Sequence, residues 1–472
     1  MKAITLTVWI VAHILAGAAF AAEEEDGIHQ ATARLVLPAL GKPRVMSLRD
    51  AIVYARQYHP SLQSALARVA AAQADSRVRR AQWLPNLGAV AEVFEGTSNN
   101  STASYLATSE VFLPRIGATS VNTTVWSPSP STLAAVDASQ VLFDFGRIGA
   151  QVGAADAAVT VEKLNAVSER LRLDLLVKDA YFAVLGARAI LRAAEDAFSR
   201  SQVHRNMARA GVQNGLRAPI ELTRAEADLT RFDVARVRAA GSLEEAQVVY
   251  AAAVGVPDPM LDADQGFPQE DPPPLPEVVR DVARRDFEIR VAQARVGLQV
   301  ATTQALGALT RPELLLTGSL SGRAGGAAGT TGPTLAMDGW LPQVPNWDLG
   351  LVLRWPLYDP VLRALRDASA TRENVARADL ALTVQTEVAA IRNAYVSLDV
   401  ARAALVSLNK AAEAARANYA QADARFKAGL GTSVELAEGE ALRTAAEIQV
   451  AVGEFSVARA RAIVARLIAE EL

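Results

Sequence analysis

The sequence predicts a mainly α-helical chain that carries four membrane β-strands, on three observations. Residues 361–428 contain neither glycine nor proline, a run of 68 positions without a helix breaker. A short segment ahead of it alternates strictly in polarity between Trp347 and Trp355. The second half of the chain also echoes the first, so each kind of element occurs twice. Composition agrees: 94 of 472 residues are alanine, the strongest helix former. At 51% hydrophobic and 21% charged the chain is not dominated by disorder. A net charge of −3 gives no basic footprint, so no nucleic-acid partner is expected. The lack of cysteine excludes thiol nucleophiles, disulfides, Cys-ligated zinc and iron–sulfur clusters.

At the N-terminus Lys2 precedes an apolar segment from Ile4 to Gly17. Ala19-Phe20-Ala21 then supplies a small-x-small cleavage pattern ahead of the acidic run Glu23 to Asp26. Residues 1–21 read as a signal peptide, cut after Ala21 or Ala22; a retained anchor is the alternative. Leu15-Ala16-Gly17-Ala18 has the form of a lipoprotein box without its cysteine, so lipid attachment by that route is not expected. No later window reaches the ~18 uncharged apolar residues of a spanning helix.

The repeat is carried by ordered landmarks. Val177-Lys178-Asp179-Ala180-Tyr181-Phe182 is echoed by Ile391-Arg392-Asn393-Ala394-Tyr395-Val396, and Leu142-Phe143-Asp144 by Leu357-Tyr358-Asp359. Asn214-Gly215-Leu216 is echoed by Ala428-Gly429-Leu430. We place the first repeat at 22–267, a stiff Pro-rich connector at 268–276 and the second repeat at 277–472. A period above 200 residues indicates duplication of a domain-sized unit, not a solenoid.

Within each repeat the predicted order is helix, strand pair, helix, tight turn, helix. The run at 361–428 would span ~100 Å as one helix, far longer than globular helices. Its seam of Leu398, Ala401, Leu405, Leu408, Ala412, Ala415, Tyr419, Ala422 and Phe426 alternates steps of three and four. That spacing implies left-handed supercoiling with close approach at the alanines.

The strands indicate the setting. In Asn346–Pro356 one face carries Trp347, Leu349, Leu351, Leu353 and Trp355; the other carries Asn346, Asp348, Gly350, Val352 and Arg354. Such a segment matches the ~9–11 residues of a tilted spanning strand, with tryptophan at each interface and leucine toward lipid. Its predicted partner, Glu313–Arg323, puts Leu314, Leu316 and Leu320 on one face and Thr317, Ser319 and Ser321 on the other, with Leu315 breaking the polarity. Asn86–Glu95 and Val136–Asp144 form the first pair, with weaker alternation. A soluble sandwich remains the competing reading. In a membrane, four strands cannot close a barrel whose usual minimum is about eight, so subunits must share it.

These residues resemble the TolC-like outer-membrane factor family over essentially the whole mature chain. The carriers are Ser47-Leu48-Arg49-Asp50-Ala51 with His59-Pro60-Ser61-Leu62, Trp83-Leu84-Pro85, Val141-Leu142-Phe143-Asp144-Phe145-Gly146-Arg147, and the two Gly-Leu turns at Gly215-Leu216 and Gly429-Leu430. The resemblance implies a homotrimer with a twelve-stranded outer-membrane barrel and a hollow periplasmic α-barrel. It implies two partners, a periplasmic adaptor (membrane fusion protein) docking at the two tips and an inner-membrane ABC or proton-driven transporter. Aligned from Gly429, it puts the paired acids of the family's periplasmic gate at Glu435 and Glu438. Three residues apart, they share a helical face. Thr432 and Glu435 also form a capping-box pattern, so gate and cap both stand for Glu435. Glu221 matches a polar tip residue of the family. The family's gate-locking tyrosine and arginine fall at Phe426 and Gly431, which cannot make the same polar link.

Catalysis has little support. Beyond the signal only His29, His59 and His204 remain, without HExxH, G-x-S-x-G or a phosphate-binding glycine loop. His59 before Pro60 reads as a surface capping position, and Tyr181 and Tyr395 as packing. The expectation is a non-enzymatic exit duct of a tripartite export system, without cofactor or metal, in the outer membrane of a Gram-negative bacterium and extending into the periplasm. Its cargo reads as a secreted protein of a type I system, because many pump-associated relatives carry the lipoprotein cysteine that is missing here. Drug or metal efflux is the alternative, and a soluble periplasmic coiled-coil scaffold the reading of a different class.

Overall fold

The computed structural model describes residues 43–97, 128–264, 266–267, 271–280, 282–325 and 344–468. The signal peptide, His29, the first part of the connector and most of both strand-linking loops lie outside these residues. The chain divides into two compact units, each drawing segments from both sequence repeats. One comprises Met1–His59, Leu173–Asp271 and Ser397–Ala462; the other comprises Pro60–Arg172, Pro272–Val396 and Ile463–Leu472.

Strand β1 (Arg44–Met46) leads into helices α1 (Leu48–Tyr58) and α2 (Pro60–Ala81). Ser47 Oγ caps α1 by accepting the Asp50 N–H at 3.1 Å, and His59 ends it where Pro60 disfavours a helical predecessor. Then come β2 (Asn86–Thr97), β3 (Pro128–Phe143), α3 (Arg147–Gln213), α4 (Pro219–Val254) and β4 (Leu261–Ala263). The second repeat gives α5 (Leu275–Arg280), α6 (Val282–Arg285), α7 (Phe287–Ala308), β5 (Glu313–Gly325), β6 (Val344–Arg354), α8 (Pro360–Lys427) and α9 (Ser433–Leu467). At 68 residues α8 is the long helix expected from the breaker-free run, and α3 reaches 67 residues although it contains Gly149, Gly153, Gly186 and Gly211. Among the described residues no helix is long and apolar enough to cross a membrane.

In the strand-bearing unit β2–β3–β5–β6 form one antiparallel sheet, so the two predicted hairpins join through β3 and β5. Pairing with β2 out to Thr97, joined by β5 from Ser131, explains why β3 begins eight residues before the predicted Val136. β6 corrects the prediction at its other end. It stops at Arg354, so Trp355 lies one residue beyond the strand. Arg354 pairs with Glu313, the first residue of β5, and Pro356 has no N–H to extend the ladder. The register stacks Leu320 on Trp347, Leu316 on Leu351 and Leu314 on Leu353, while Ser319 faces Asp348 on the opposite side and donates to it. Leu315, which broke the sequence pattern, faces Val352.

The strand-to-helix junctions explain the Leu-Phe-Asp and Leu-Tyr-Asp echo. The Asp144 carboxylate accepts the N–H groups of Gly146 and Ile148 as α3 begins. Asp359 does the same for Val361 and Leu362 at 2.9 and 3.1 Å as α8 begins. Each carboxylate satisfies orphan donors and faces the positive end of its helix. Glu313, 5% exposed, is paired with both Arg147 and Arg354.

In the tip-bearing unit β1 and β4 form a small parallel sheet that the sequence did not announce. It lies beside a core of Tyr181 and Tyr250, whose rings meet edge to face at 5.6 Å. Both are buried, and their hydroxyls donate to Asp264 (3.0 Å) and the Met46 carbonyl (3.4 Å). Tyr395 of the other unit is likewise buried and donates to the Pro273 carbonyl, so both tyrosines pack as expected. Along α8 the predicted seam holds: Leu398, Ala412, Ala415, Tyr419 and Phe426 are buried, with Ala401, Leu405, Leu408 and Ala422 half-buried between them.

Candidate functional site

The two long-helix turns of the tip-bearing unit are built alike. After α3, Gly215 takes φ +68° and donates its N–H to Val212 O, while Leu216 N–H reaches back to Gly211 O. After α8, Gly429 takes φ +75° and donates to Phe426 O, while Leu430 N–H reaches Arg425 O. This is the Schellman closure, and it explains both Gly-Leu pairs: the left-handed position favours glycine, and the next residue closes the outer bond. Leu216 and Leu430 are 81% and 76% exposed, so each hairpin ends in an uncovered leucine.

Beyond the turns the helices restart differently. α4 begins with Pro219 at its first position and has no side-chain cap. α9 is capped by Thr432, whose Oγ1 accepts the Glu435 N–H at 3.2 Å. The Glu435 carboxylate lies 3.9 Å from Arg425, a loose contact between two exposed side chains. Glu435 and Glu438 sit together on the exposed face of α9, whereas Leu436 and Glu440 face inward. The capping geometry involves only the Glu435 backbone and leaves both carboxylates directed to the surface.

Sequence reasoning missed two features. The first is Arg217, which lies against the second hairpin. Its guanidinium carbon stands 3.7 Å from the Phe426 ring centroid. One terminal nitrogen donates to Glu221 at 2.8 Å and the other to the Phe426 carbonyl at 3.1 Å. The second is a buried polar cluster among α3, α8 and α9. Glu440 is 1% exposed and accepts from Arg200 Nε at 2.9 Å and from Thr444 at 3.1 Å. Burial alone would lower the Arg200 pKa, but Glu440 and Glu447 outweigh it and hold the guanidinium above its ordinary value. His204 Nε2 lies 3.1 Å from the Tyr419 hydroxyl and 3.8 Å from Asp423. Burial pushes the His204 pKa down despite the pull of Glu440 and Asp423. Burial, with Glu440 and Asp423, pushes the Tyr419 hydroxyl up to about 12. Beside the cluster is a cavity of about 30 Å³, lined in part by His204, Phe426, Leu436 and Glu440. It has room for a water or two, not for an organic ligand. Neither feature has a local motif, because the partners come from helices about 210–240 residues apart in sequence.

In the other unit, the predicted lipid-facing residues Trp347, Leu349, Leu351 and Leu353 share one exposed face of β6. Trp355, past the strand end, is also exposed. Leu320 on β5, Val136 on β3 and Leu87 on β2 are exposed apolar residues of the same sheet.

Residues 51–256 and 278–470 each match the outer membrane efflux protein family. No curated protein sequence matches the chain. Among solved structures, the outer membrane protein VceC of Vibrio cholerae is 17% identical, with a TM-score of 0.71 over 90% of this chain and 96% of that one. The CmeC outer membrane channel of Campylobacter jejuni is 15% identical, with a TM-score of 0.72 over 89% and 85%. The open-state MtrE outer membrane channel of Neisseria gonorrhoeae is 21% identical, with a TM-score of 0.69 over 90% and 89%. Two family matches in tandem, long helices closed by twin Gly-Leu turns and a sheet with an exposed apolar face all agree: the chain belongs to the outer membrane efflux protein family and is an outer-membrane channel of Gram-negative bacteria that extends into the periplasm.

Proposed function

We propose that the chain is a non-catalytic exit duct that works as a homotrimer, receiving cargo from an inner-membrane transporter through a periplasmic adaptor. One observation carries the trimer. The sheet has four strands in the order β2-β3-β5-β6, so β2 and β6 are its edges. Inside a bilayer an open edge leaves N–H and C=O groups without partners, and closure is the remedy. Three copies supply twelve strands, above the usual minimum of about eight. Trp347, Leu349, Leu351, Leu353 and Trp355 then meet lipid. Gly215-Leu216 and Gly429-Leu430 form the adaptor-docking tips, supported by the uncovered leucines. Glu435 and Glu438 form the periplasmic gate, six carboxylates around one axis, supported by their exposure on one helical face.

For cargo, one reading is efflux of drugs or metal ions, in keeping with the word efflux in the family's description. Type I secretion of a protein is the second reading, favoured by the lipoprotein-like Leu15-Ala16-Gly17-Ala18 without a cysteine. Removing the gene from its host and measuring both drug and metal susceptibility and the secreted proteins separates them. Sensitisation with an unchanged set of secreted proteins supports efflux; loss of one secreted protein without sensitisation supports secretion. Absence of a heat-resistant trimer from isolated outer membranes would overturn the duct itself.

A further inference from the structure

We infer that Arg217 is the clamp that holds the second tip hairpin against the first, and so positions the periplasmic gate; this rests on the gate reading above. The contact is built from both sides. The arginine side chain is 18% exposed, and its stem lies over Gly211, where an added Cβ would come within 2.8 Å of Arg217 Cδ. Glycine two residues before the end of α3 has a helix-propensity cost, and here it makes room for that stem. The guanidinium plane then covers the Phe426 ring while its two terminal nitrogens bond Glu221 and the Phe426 carbonyl.

That carbonyl lies in the last turn of α8, where the helix dipole presents partial negative charge to a cation. Glu221 fixes the guanidinium from the start of α4. One side chain therefore joins the end of α3, the start of α4 and the end of α8. At Gly431 an added Cβ would come 3.1 Å from Phe426 N and 3.2 Å from the Arg425 carbonyl carbon, so the backbone folds back closely here and any side chain would have to displace it by a few tenths of an ångström. The polar link thus comes from the first hairpin, through Arg217, onto the aromatic residue of the second. Phe426, 3% exposed, also packs with Tyr419 and Leu436 immediately beside the Glu435 and Glu438 turn of α9. Freeing it should loosen the helix start that carries both acids.

The test uses the full chain in detergent-solubilised trimers and planar bilayers. The protein has no native cysteine, so Ala428→Cys carries a single nitroxide per chain at the tip. Arg217→Met keeps the stem and removes the guanidinium; Arg217→Lys keeps the charge but cannot lie flat and donate twice. We expect both to mobilise the label and to shift the tip's closed–open ratio roughly tenfold toward open, seen as more frequent high-conductance events. An unchanged label spectrum in Arg217→Met overturns the clamp whatever the conductance does. Wild-type behaviour of Arg217→Lys also overturns it, since charge alone would then suffice. A mobilised label with unchanged conductance upholds the clamp and rejects the gate reading. Phe426→Leu, which keeps the backbone carbonyl, is the second variant if Arg217→Met fails to assemble. It should mobilise the label less, and no mobilisation there overturns the stacked contact.

Discussion

Removing Arg200 while leaving Glu440 in place tests the polar cluster of the tip-bearing unit most directly. Glu440 is 1% exposed and is held by Arg200 through nitrogens at 2.8 and 2.9 Å, with Thr444 adding one hydrogen bond at 3.1 Å. In Arg200→Met the carboxylate stays buried with only the Thr444 hydroxyl, close to the limiting case of an uncompensated charge. Breaking such a pair from one side costs about 3–5 kcal/mol. Glu440→Leu is less damaging, because Arg200 is 20% exposed and retains Glu447 at 3.9 Å; about 2–3 kcal/mol is expected. The double substitution should cost less than the two singles combined by at least about 2 kcal/mol, because no charge is left stranded. Hydrogen exchange at the α9 amides around Glu440 in assembled trimers reads these values as local opening free energies. Additive effects, or an Arg200→Met cost below about 1 kcal/mol, would show that water already solvates the pair.

Other outcomes follow from the same geometry. Leu351→Arg should cost about 2–4 kcal/mol at mid-bilayer and deplete heat-resistant trimers from outer membranes, whereas Val352→Arg on the opposite face should assemble better; equal assembly would reject the strand faces. Glu435→Gln with Glu438→Gln should weaken cation preference and abolish block by trivalent cations in single-channel recordings, while the Thr432 cap on the Glu435 N–H survives; unchanged selectivity would confine both residues to the helix start. Leu216→Asp with Leu430→Asp should abolish export while trimers persist, and undiminished export would make the tips structural turns only. His204 is held neutral below its ordinary 6.5, so the unfolded chain binds more protons just under that pH. Its stabilising contribution is present above about 6.5 and is lost as pH falls toward the depressed value; His204→Gln should flatten this part of a pH–stability profile, and an unaltered slope would remove His204 as its source.

Features written in neighbouring residues were legible in the sequence. The breaker-free run, the heptad seam from Leu398 to Phe426, the Gly-Leu turns and the Trp347-to-Leu353 alternation each depend on local periodicity or backbone conformation, which one stretch of chain determines. The Asp144 and Asp359 caps are just as local, since a capping carboxylate acts within four residues, but in the sequence they stood out only as an echo between the repeats and the structure supplied their role. The ends of strands were less legible: β6 stops before Trp355 because its partner β5 runs out at Glu313, a fact about another segment. Only the tertiary structure joined β3 to β5 and paired β1 with β4, because pairing between repeats depends on which edges meet in space. It alone turned Glu440, by sequence one more acid on a charged helix, into a buried partner of Arg200. It alone brought Arg217 over Phe426, 209 residues further along. Such contacts leave no periodic trace: a single side chain carries each half, and burial of its charge is decided by the helix packed against it.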